Sequence, residues 1–239
     1  MSRDPAYADA MQVDLNADIA ESPDDLALLD VVTSANVCCG AYAGGIDLMI
    51  AACTRAVERG VTIGAQVGYA DPEGFGRRPL DVDSGELVES LREQIDLLAE
   101  IADSVGGHVA YIKPHGALYN TVVVDERQAT AVVEAVAPYG LPLLGLPHAA
   151  SLRIAAADGM PVVTEGFADR AYRPDGTLVP RSEPGAVHDD PATAVAQAVR
   201  LAPQVDSLCV HGDSPGAIDL ARAVRSGLED AGHTVRSFA

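Results

Sequence analysis

Val109-Ala110-Tyr111-Ile112-Lys113-Pro114-His115-Gly116-Ala117-Leu118-Tyr119-Asn120 is a short apolar run that ends on a charge, breaks at proline and glycine, and resumes as a helix-like stretch. It reads as a strand, a turn and a helix, with its polar residues at the carboxyl end of the strand. Lys113 is the only lysine beside fifteen arginines. An ammonium is a compact point charge that a guanidinium does not replace, so a solitary lysine in this turn points to a chemical role. The plainer alternative is that compositional bias left one lysine by chance.

The same unit repeats outward in both directions. Apolar runs suited to strands lie at 12–18, 33–38, 61–66, 108–113, 141–146, 161–166, 206–211 and 233–238. Amphipathic stretches separate them; in 86–105, Leu87, Leu91, Ile95, Leu98 and Ala102 recur at helical spacing. Asp83, and Ser214 followed by Pro215, mark helix starts. Seven or eight such units in 239 residues fit a compact closed parallel (β/α) barrel better than an open doubly wound sheet. One domain over 1–239 is expected, with no linker. Two polar Gly/Pro-rich connections, 68–81 and 167–190, are too long for ordinary turns and are candidate active-site loops.

Composition narrows the partners. A net charge of −19, from 16 basic and 35 acidic residues, would repel nucleic acid and anionic membranes. The first ten residues carry no apolar leader, and no segment approaches about 20 apolar residues, so a cytoplasmic protein is expected. Cys38, Cys39, Cys53 and Cys209 form no C-x-x-C pair and are expected to be buried thiols.

The polar clusters share one placement. Asn16 and Asp18 end the first strand, Gln66 the third, Lys113 and His115 the fourth, Glu165 and Asp169 the sixth, and His211 and Asp213 the seventh. In a parallel barrel all these ends lie on one face, which predicts a single pocket there. Taken singly, a polar residue at a strand end is a helix cap or turn former.

Within Asp14-Leu15-Asn16-Ala17-Asp18-Ile19-Ala20-Glu21, Asp14 is expected to face outward or pair structurally, while Asp18 offers a general base or a metal ligand. His115 and His211 each follow an apolar strand and precede glycine, which suits proton transfer at a pocket mouth. Arg170 or Arg181 offers a bidentate grip for a carboxylate or phosphate; a solvated loop with internal ion pairs is the alternative. Gly74-Phe75-Gly76-Arg77-Arg78 resembles no nucleotide fingerprint. Neither a G-x-x-x-x-G-K-[ST] loop nor G-x-S-x-G occurs, so neither an ATP site within the chain nor a serine nucleophile elbow is expected.

Taken together, Asp14 to Asp18, Thr33-Ser34-Ala35-Asn36-Val37-Cys38-Cys39-Gly40, the blocks 68–78, 113–120, 167–172 and 179–186, and Val210-His211-Gly212-Asp213-Ser214-Pro215-Gly216 resemble the LamB/YcsF family over nearly the whole chain. The resemblance implies a distorted seven-stranded parallel (β/α) barrel, TIM-barrel-like and of the glycoside hydrolase/deacetylase type. It also implies a hydrolase acting on a cyclic amide: ATP-dependent opening of the 5-oxoproline lactam to glutamate, as the A-type component of a multi-subunit 5-oxoprolinase. The small-molecule lactam is then the substrate, proteins like the B- and C-type components of 5-oxoprolinase are the partners, and ATP is supplied through them, with no cofactor tightly bound. A homo-oligomer is left open.

The expected catalytic residues are Asp18, Lys113, His115, His211 and Asp213. The expected substrate-binding residues are Asn16, Tyr42, Gln66, Tyr119, Asn120, Asp169, Arg170 and Glu183. The chain departs from the family pattern at Tyr42 and Gln66, each standing where that pattern has histidine, and at Gly45, where it has an acid. In related barrels one Asp and two His bind a divalent metal, so no bound transition metal is expected here. The same departures allow a divergent paralogue that opens or closes another cyclic amide, or a non-catalytic barrel protein within the complex.

Overall fold

The computed structural model describes residues 11–212 and 216–239. Its centre is a parallel barrel of seven strands: β1 (Gln12–Ile19), β2 (Ser34–Cys38), β3 (Thr62–Val67), β4 (Val109–Pro114), β5 (Leu143–Gly145), β6 (Val162–Phe167) and β7 (Ser207–Val210). Each pairs with the next, and β7 returns to β1, which also pairs with β2, so the ring closes. Every run expected as a strand forms one. The last, β8 (Thr234–Val235), lies outside the ring and pairs with Gln12 and Val13 at the start of β1.

Helices cover the barrel: α1 (Ile46–Arg59), α2 (Ser84–Ser104), α3 (Gly116–Val124), α4 (Glu126–Val136), α5 (Ala150–Ala157), α6 (Pro191–Leu201) and α7 (Ala217–Asp230). A 3-10 helix, Pro23–Asp30, follows β1 instead of an α-helix. The Asp83 carboxylate accepts from the backbone N–H of Gly85 and Glu86, capping α2 as expected. The expected cap at Ser214 lies outside the described residues. The four cysteines are buried and free.

Sequence alternation in β1 fixes the site. Val13, Leu15, Ala17 and Ile19 belong to the apolar core cluster that the helices share. The alternate residues Asp14, Asn16 and Asp18 face the lumen, because their side chains reach strands that do not adjoin β1, such as Lys113 of β4 and Glu165 of β6. Asp14 is therefore not outward-facing. It is fully buried at the barrel floor, accepting from Thr33, Ser34 and Ser207. Burial pushes its pKa up to about 6 against those three hydroxyl donors.

The ring is distorted where β3 meets β4. The register shifts between Ile63 and Gly64, and β4 meets β5 through the single pair Ile112 and Leu143. A Cβ on Gly64 would lie 2.2 Å from the Tyr111 ring, which crosses the floor, hydrogen-bonds Asn36 Oδ1 at 2.7 Å and meets Phe238 edge-on. The absence of a side chain at Gly64 lets that aromatic plug form.

Candidate active site

The carboxyl ends of the strands open into a cavity of about 670 Å³. Its charged end is formed by Asp18, Lys113, His115 and His211, and its apolar side by Leu146, Phe167 and Leu178. The two long loops supply its rim, through Arg77 and Pro79 from the first and Arg170, Pro180 and Arg181 from the second. Of the strand-end residues expected to converge, Asp18, Lys113, His115 and His211 line this cavity.

Lys113 lies at the centre. Its Nζ donates to Glu165 Oε1 at 2.7 Å and Asn16 Oδ1 at 3.3 Å, and sits 3.4 Å from Asp18 Oδ1 and 3.3 Å from Cys209 Sγ. Burial alone would discharge such an amine. The Asp18 and Glu165 carboxylates more than offset it and hold its pKa well above the usual lysine value, so the amine stays cationic. Burial also works against ionisation of Asp18, but Lys113, His211 and His115 win and hold its carboxyl below the ordinary range. Asn36 donates to Asp18 Oδ1 at 2.9 Å and fixes its orientation.

Asp169, at the start of the second long loop, accepts from the His211 backbone N–H at 2.8 Å and lies 2.9 Å from His211 Nδ1. Burial raises the Asp169 pKa, yet the contacts with His211 lower it further, leaving a net depression. The His211 ring stacks on Phe167 at 5.6 Å. With Nδ1 on the carboxylate, Nε2 is the nitrogen left for the cavity. Gln197 of α6 donates to the carbonyls of Phe167, Ala168 and Arg170, pinning the strand-to-loop exit that carries Asp169.

His115 is 4% exposed and stacked 4.1 Å from the Tyr42 ring. Burial lowers its pKa to about 4 despite the nearby Asp18. Tyr119 is buried against the same cavity, its pKa pushed well up by burial and by the Glu165 charge. Asn120 reaches the cavity wall, its amide donating to Gly116 O at 2.9 Å.

Other expected residues are engaged by the protein itself. Asn16 is fully buried beneath the cavity, donating to Glu165 and Ser207 and accepting from Asn36 and Lys113. Tyr42 and Gln66 sit behind His115, bound to each other through Tyr42 Oη to Gln66 Oε1 at 2.8 Å. The Asp-His-His metal set of related barrels therefore does not fit this chain, because two of its three positions hold a phenol and an amide, bonded to each other, in place of imidazoles. Arg170 lines the cavity, but its Nε and one terminal nitrogen donate to the carbonyls of Ala186 and Val179, bracing the loop. Glu183 is half-exposed and pairs with Arg173 at 2.6 Å on the same loop, away from the cavity wall. Asp213 lies outside the described residues.

Two acids carry no catalytic or binding role among the sequence expectations. Glu165 is fully buried and bonded to Lys113, and Glu21 lies 3.2 Å from His115 Nδ1. The signal for Glu165 was a carboxylate inside an otherwise apolar strand, since a buried charge needs a partner. Glu21 follows the strand in a turn and carried no such signal.

A model of the LamB/YcsF family matches residues 13–239. The chain is 51% identical to a protein of Streptomyces avermitilis named as the A component of 5-oxoprolinase, over 95% of this chain and all of that one. It is 49% identical to the protein of the same name from Mycobacterium avium, over 95% and 98%. Among solved structures, a lactam utilization protein from Thermus thermophilus superposes with a TM-score of 0.89 at 37% identity, over 95% and 100% of the two chains. A family 4 carbohydrate esterase from Streptomyces lividans shares the fold at a TM-score of 0.57 and 12% identity, over 98% and 95%. Among the described residues, no helix is long and apolar enough to cross a membrane.

Proposed function

The chain belongs to the LamB/YcsF family, and from that premise we propose that it is the lactam-opening A component of an ATP-dependent 5-oxoprolinase. The observation that carries the reading is the buried Lys113 ammonium, held by Glu165 and Asp18 on one wall of a cavity that is also lined by an Asp169-oriented histidine.

An unstrained five-membered lactam is a weak electrophile, so opening it needs charge stabilisation at the carbonyl oxygen as well as a proton for the departing nitrogen. The fixed Lys113 cation supplies the first in a site shielded from water. His211 supplies the second: Nε2 takes a proton from attacking water and returns it to the ring nitrogen as the C–N bond breaks. Asp18, ionised and held by Asn36, positions that water. Phosphate from ATP, handled by partners of the B and C types, activates the carbonyl oxygen; C–N cleavage then leaves an acyl phosphate, which a second water hydrolyses to the carboxylate and inorganic phosphate. The relatives, named as one component of a larger enzyme, support such a division of labour.

His115 takes a different part from the one its sequence position suggests. Its Nε2 faces the Phe75 carbonyl and its Nδ1 faces two acids, so it shapes the charged end of the cavity rather than exchanging substrate protons.

A second reading, a divergent paralogue opening another cyclic amide, draws on the Tyr42 and Gln66 pair and on the cavity volume, which exceeds what a nine-heavy-atom lactam fills. Both readings are tested with the purified chain, ATP, the two partner proteins and a panel of lactams, measuring amino-acid product and ADP. Glutamate from 5-oxoproline, lost in Lys113→Ala, is the expected result. No ring opening of 5-oxoproline with both partners present, or full activity in Lys113→Ala, overturns the first reading, and turnover of a larger lactam alone establishes the second.

A further inference from the structure

The turn after β1 folds an acid back toward the barrel. Ala20 adopts φ 64, and the Asp25 carboxylate accepts from the backbone N–H groups of Ala20, Glu21 and Ser22 at 2.9, 2.9 and 2.8 Å. This turn places Glu21 Oε1 3.2 Å from His115 Nδ1, which is also 3.9 Å from Asp18 Oδ2. One ligand atom from each of the three residues lies within 4.8 Å of the other two.

His115 adds a second, independent pointer. Its side chain is buried at 4% exposure, and Nδ1 has no hydrogen-bond partner. On the opposite edge of the ring, Nε2 faces Phe75 O at 3.3 Å. A carbonyl only accepts, so the hydrogen belongs on Nε2, and Nδ1 presents a lone pair to two carboxylate oxygens. A histidine fixed by a backbone carbonyl through one nitrogen and offering the other is the arrangement that orients metal ligands. The Tyr42 stack holds the ring plane, and a Cβ on Gly76 would lie 3.1 Å from the His115 ring, so the loop closes directly over it.

We propose that Asp18, Glu21 and His115 form a divalent-cation site with two carboxylate oxygens and one imidazole nitrogen as ligands. The mixed donor set selects a first-row ion such as Mn²⁺, Co²⁺ or Zn²⁺ over Ca²⁺. Ligand bonds of about 2.0–2.2 Å separate neighbouring donors by about 3–3.5 Å. The Glu21–His115 contact already meets that spacing, the 3.9 Å gap between Asp18 Oδ2 and His115 Nδ1 is within about an ångström of it, and all three donor atoms lie within 4.8 Å of one another. Lys113 and Asn36 engage the other oxygen of Asp18, leaving Oδ2 for the ion. Asp18 and His115 both line the cavity, so the remaining coordination positions face the substrate space. This site uses neither Tyr42 nor Gln66, and it replaces the sequence expectation of no metal, which rested on those two positions. It is independent of which lactam the cavity takes.

The test reads metal content and not turnover. Tag-free, chelator-treated protein is equilibrated with Mn²⁺ or Zn²⁺ and analysed by dialysis and elemental analysis, with paramagnetic resonance for Mn²⁺. One equivalent is expected in the wild type, with affinity lowered at least tenfold in Glu21→Gln and in His115→Ala, and nitrogen coupling to Mn²⁺ lost in the latter. His108→Ala, at an exposed position, leaves the site intact. Thermal melting checks each fold, and Glu21→Gln, which keeps the side-chain shape, decides the matter if His115→Ala unfolds. Absence of stoichiometric uptake by the wild type, uptake unchanged in Glu21→Gln, or uptake lost in His108→Ala overturns the proposal.

Discussion

Glu165 Oε1 lies 2.7 Å from Lys113 Nζ, although the two residues come from β6 and β4, strands that do not adjoin. The pair bridges the lumen, and each partner is nearly or wholly inaccessible to solvent. Removing one member of a buried pair leaves the other uncompensated, at about 3–5 kcal/mol. Lys113→Ala is expected to lose that much stability along with activity. Lys113→Met combined with Glu165→Gln regains most of the stability and stays inactive. Urea unfolding beside an assay of ring opening checks both, and a double variant no more stable than Lys113→Ala would contradict the pairing.

Asp169 acts through His211. Asp169→Asn places an amide against Nδ1 or the His211 backbone N–H and favours the imidazole tautomer with its hydrogen on Nε2. A base that has lost its lone pair toward the cavity lowers kcat by about 10²–10⁴-fold, the range of general acid–base contributions. KM changes little, because Asp169 does not line the cavity. The native carboxyl is held below its ordinary value of 3.8, so it stays ionised as pH falls to that point and contributes no titration to the rate profile above it. A rise in KM at constant kcat would place Asp169 on the substrate instead.

Tyr42 separates support from contact. Tyr42→Phe keeps the stack on His115 and removes the donor to Gln66 Oε1, leaving a buried amide oxygen unpaired at about 1–3 kcal/mol. The expected outcome is a lower melting temperature with KM for the lactam unchanged. A KM raised tenfold at unaltered stability would move Tyr42 into the binding surface.

The fold was legible because parallel strands and covering helices impose different periods, and all eight apolar runs obeyed the first. The strand-end rule located Lys113, His115 and His211 for the same reason. Depth was not legible. In Asp14-Leu15-Asn16-Ala17-Asp18 the polar alternation looks like a solvent face, yet in a closed ring of strands the second face is the lumen, so Asp14 and Asn16 became interior supports. The Lys113 partnership with Glu165 spans 52 positions and depends on ring closure. Glu183 is expected in the site from the family pattern of its loop, and its pairing with Arg173 ten positions away on that loop carries no signal in the sequence.

Gly64 has no side chain where the Tyr111 ring crosses the floor, and its neighbour strand shifts register there. Gly64→Ala forces the ring aside and costs about 1–3 kcal/mol by overpacking. Adding Tyr111→Leu makes room and recovers part of that loss, which thermal melting of the single and double variants resolves. A neutral Gly64→Ala would show that the floor yields freely.

Asp14 gives stability a pH dependence of known sign. Its folded pKa is about 6 against an ordinary 3.8, so between these values the native state holds a proton that the unfolded chain has released. Stability from this group is present below pH 3.8 and is lost as pH rises to about 6. At 1.36 kcal/mol per pH unit the loss is about 3 kcal/mol. Asp14→Asn mimics the neutral acid, accepting from Thr33 and Ser34 while donating to Ser207, and titrates no longer. The variant should therefore gain about 3 kcal/mol relative to the wild type between pH 3.5 and pH 7. Urea unfolding at the two pH values measures that difference directly. A constant difference would mean that Asp14 is ionised in the native barrel, its charge fully met by the three hydroxyl donors.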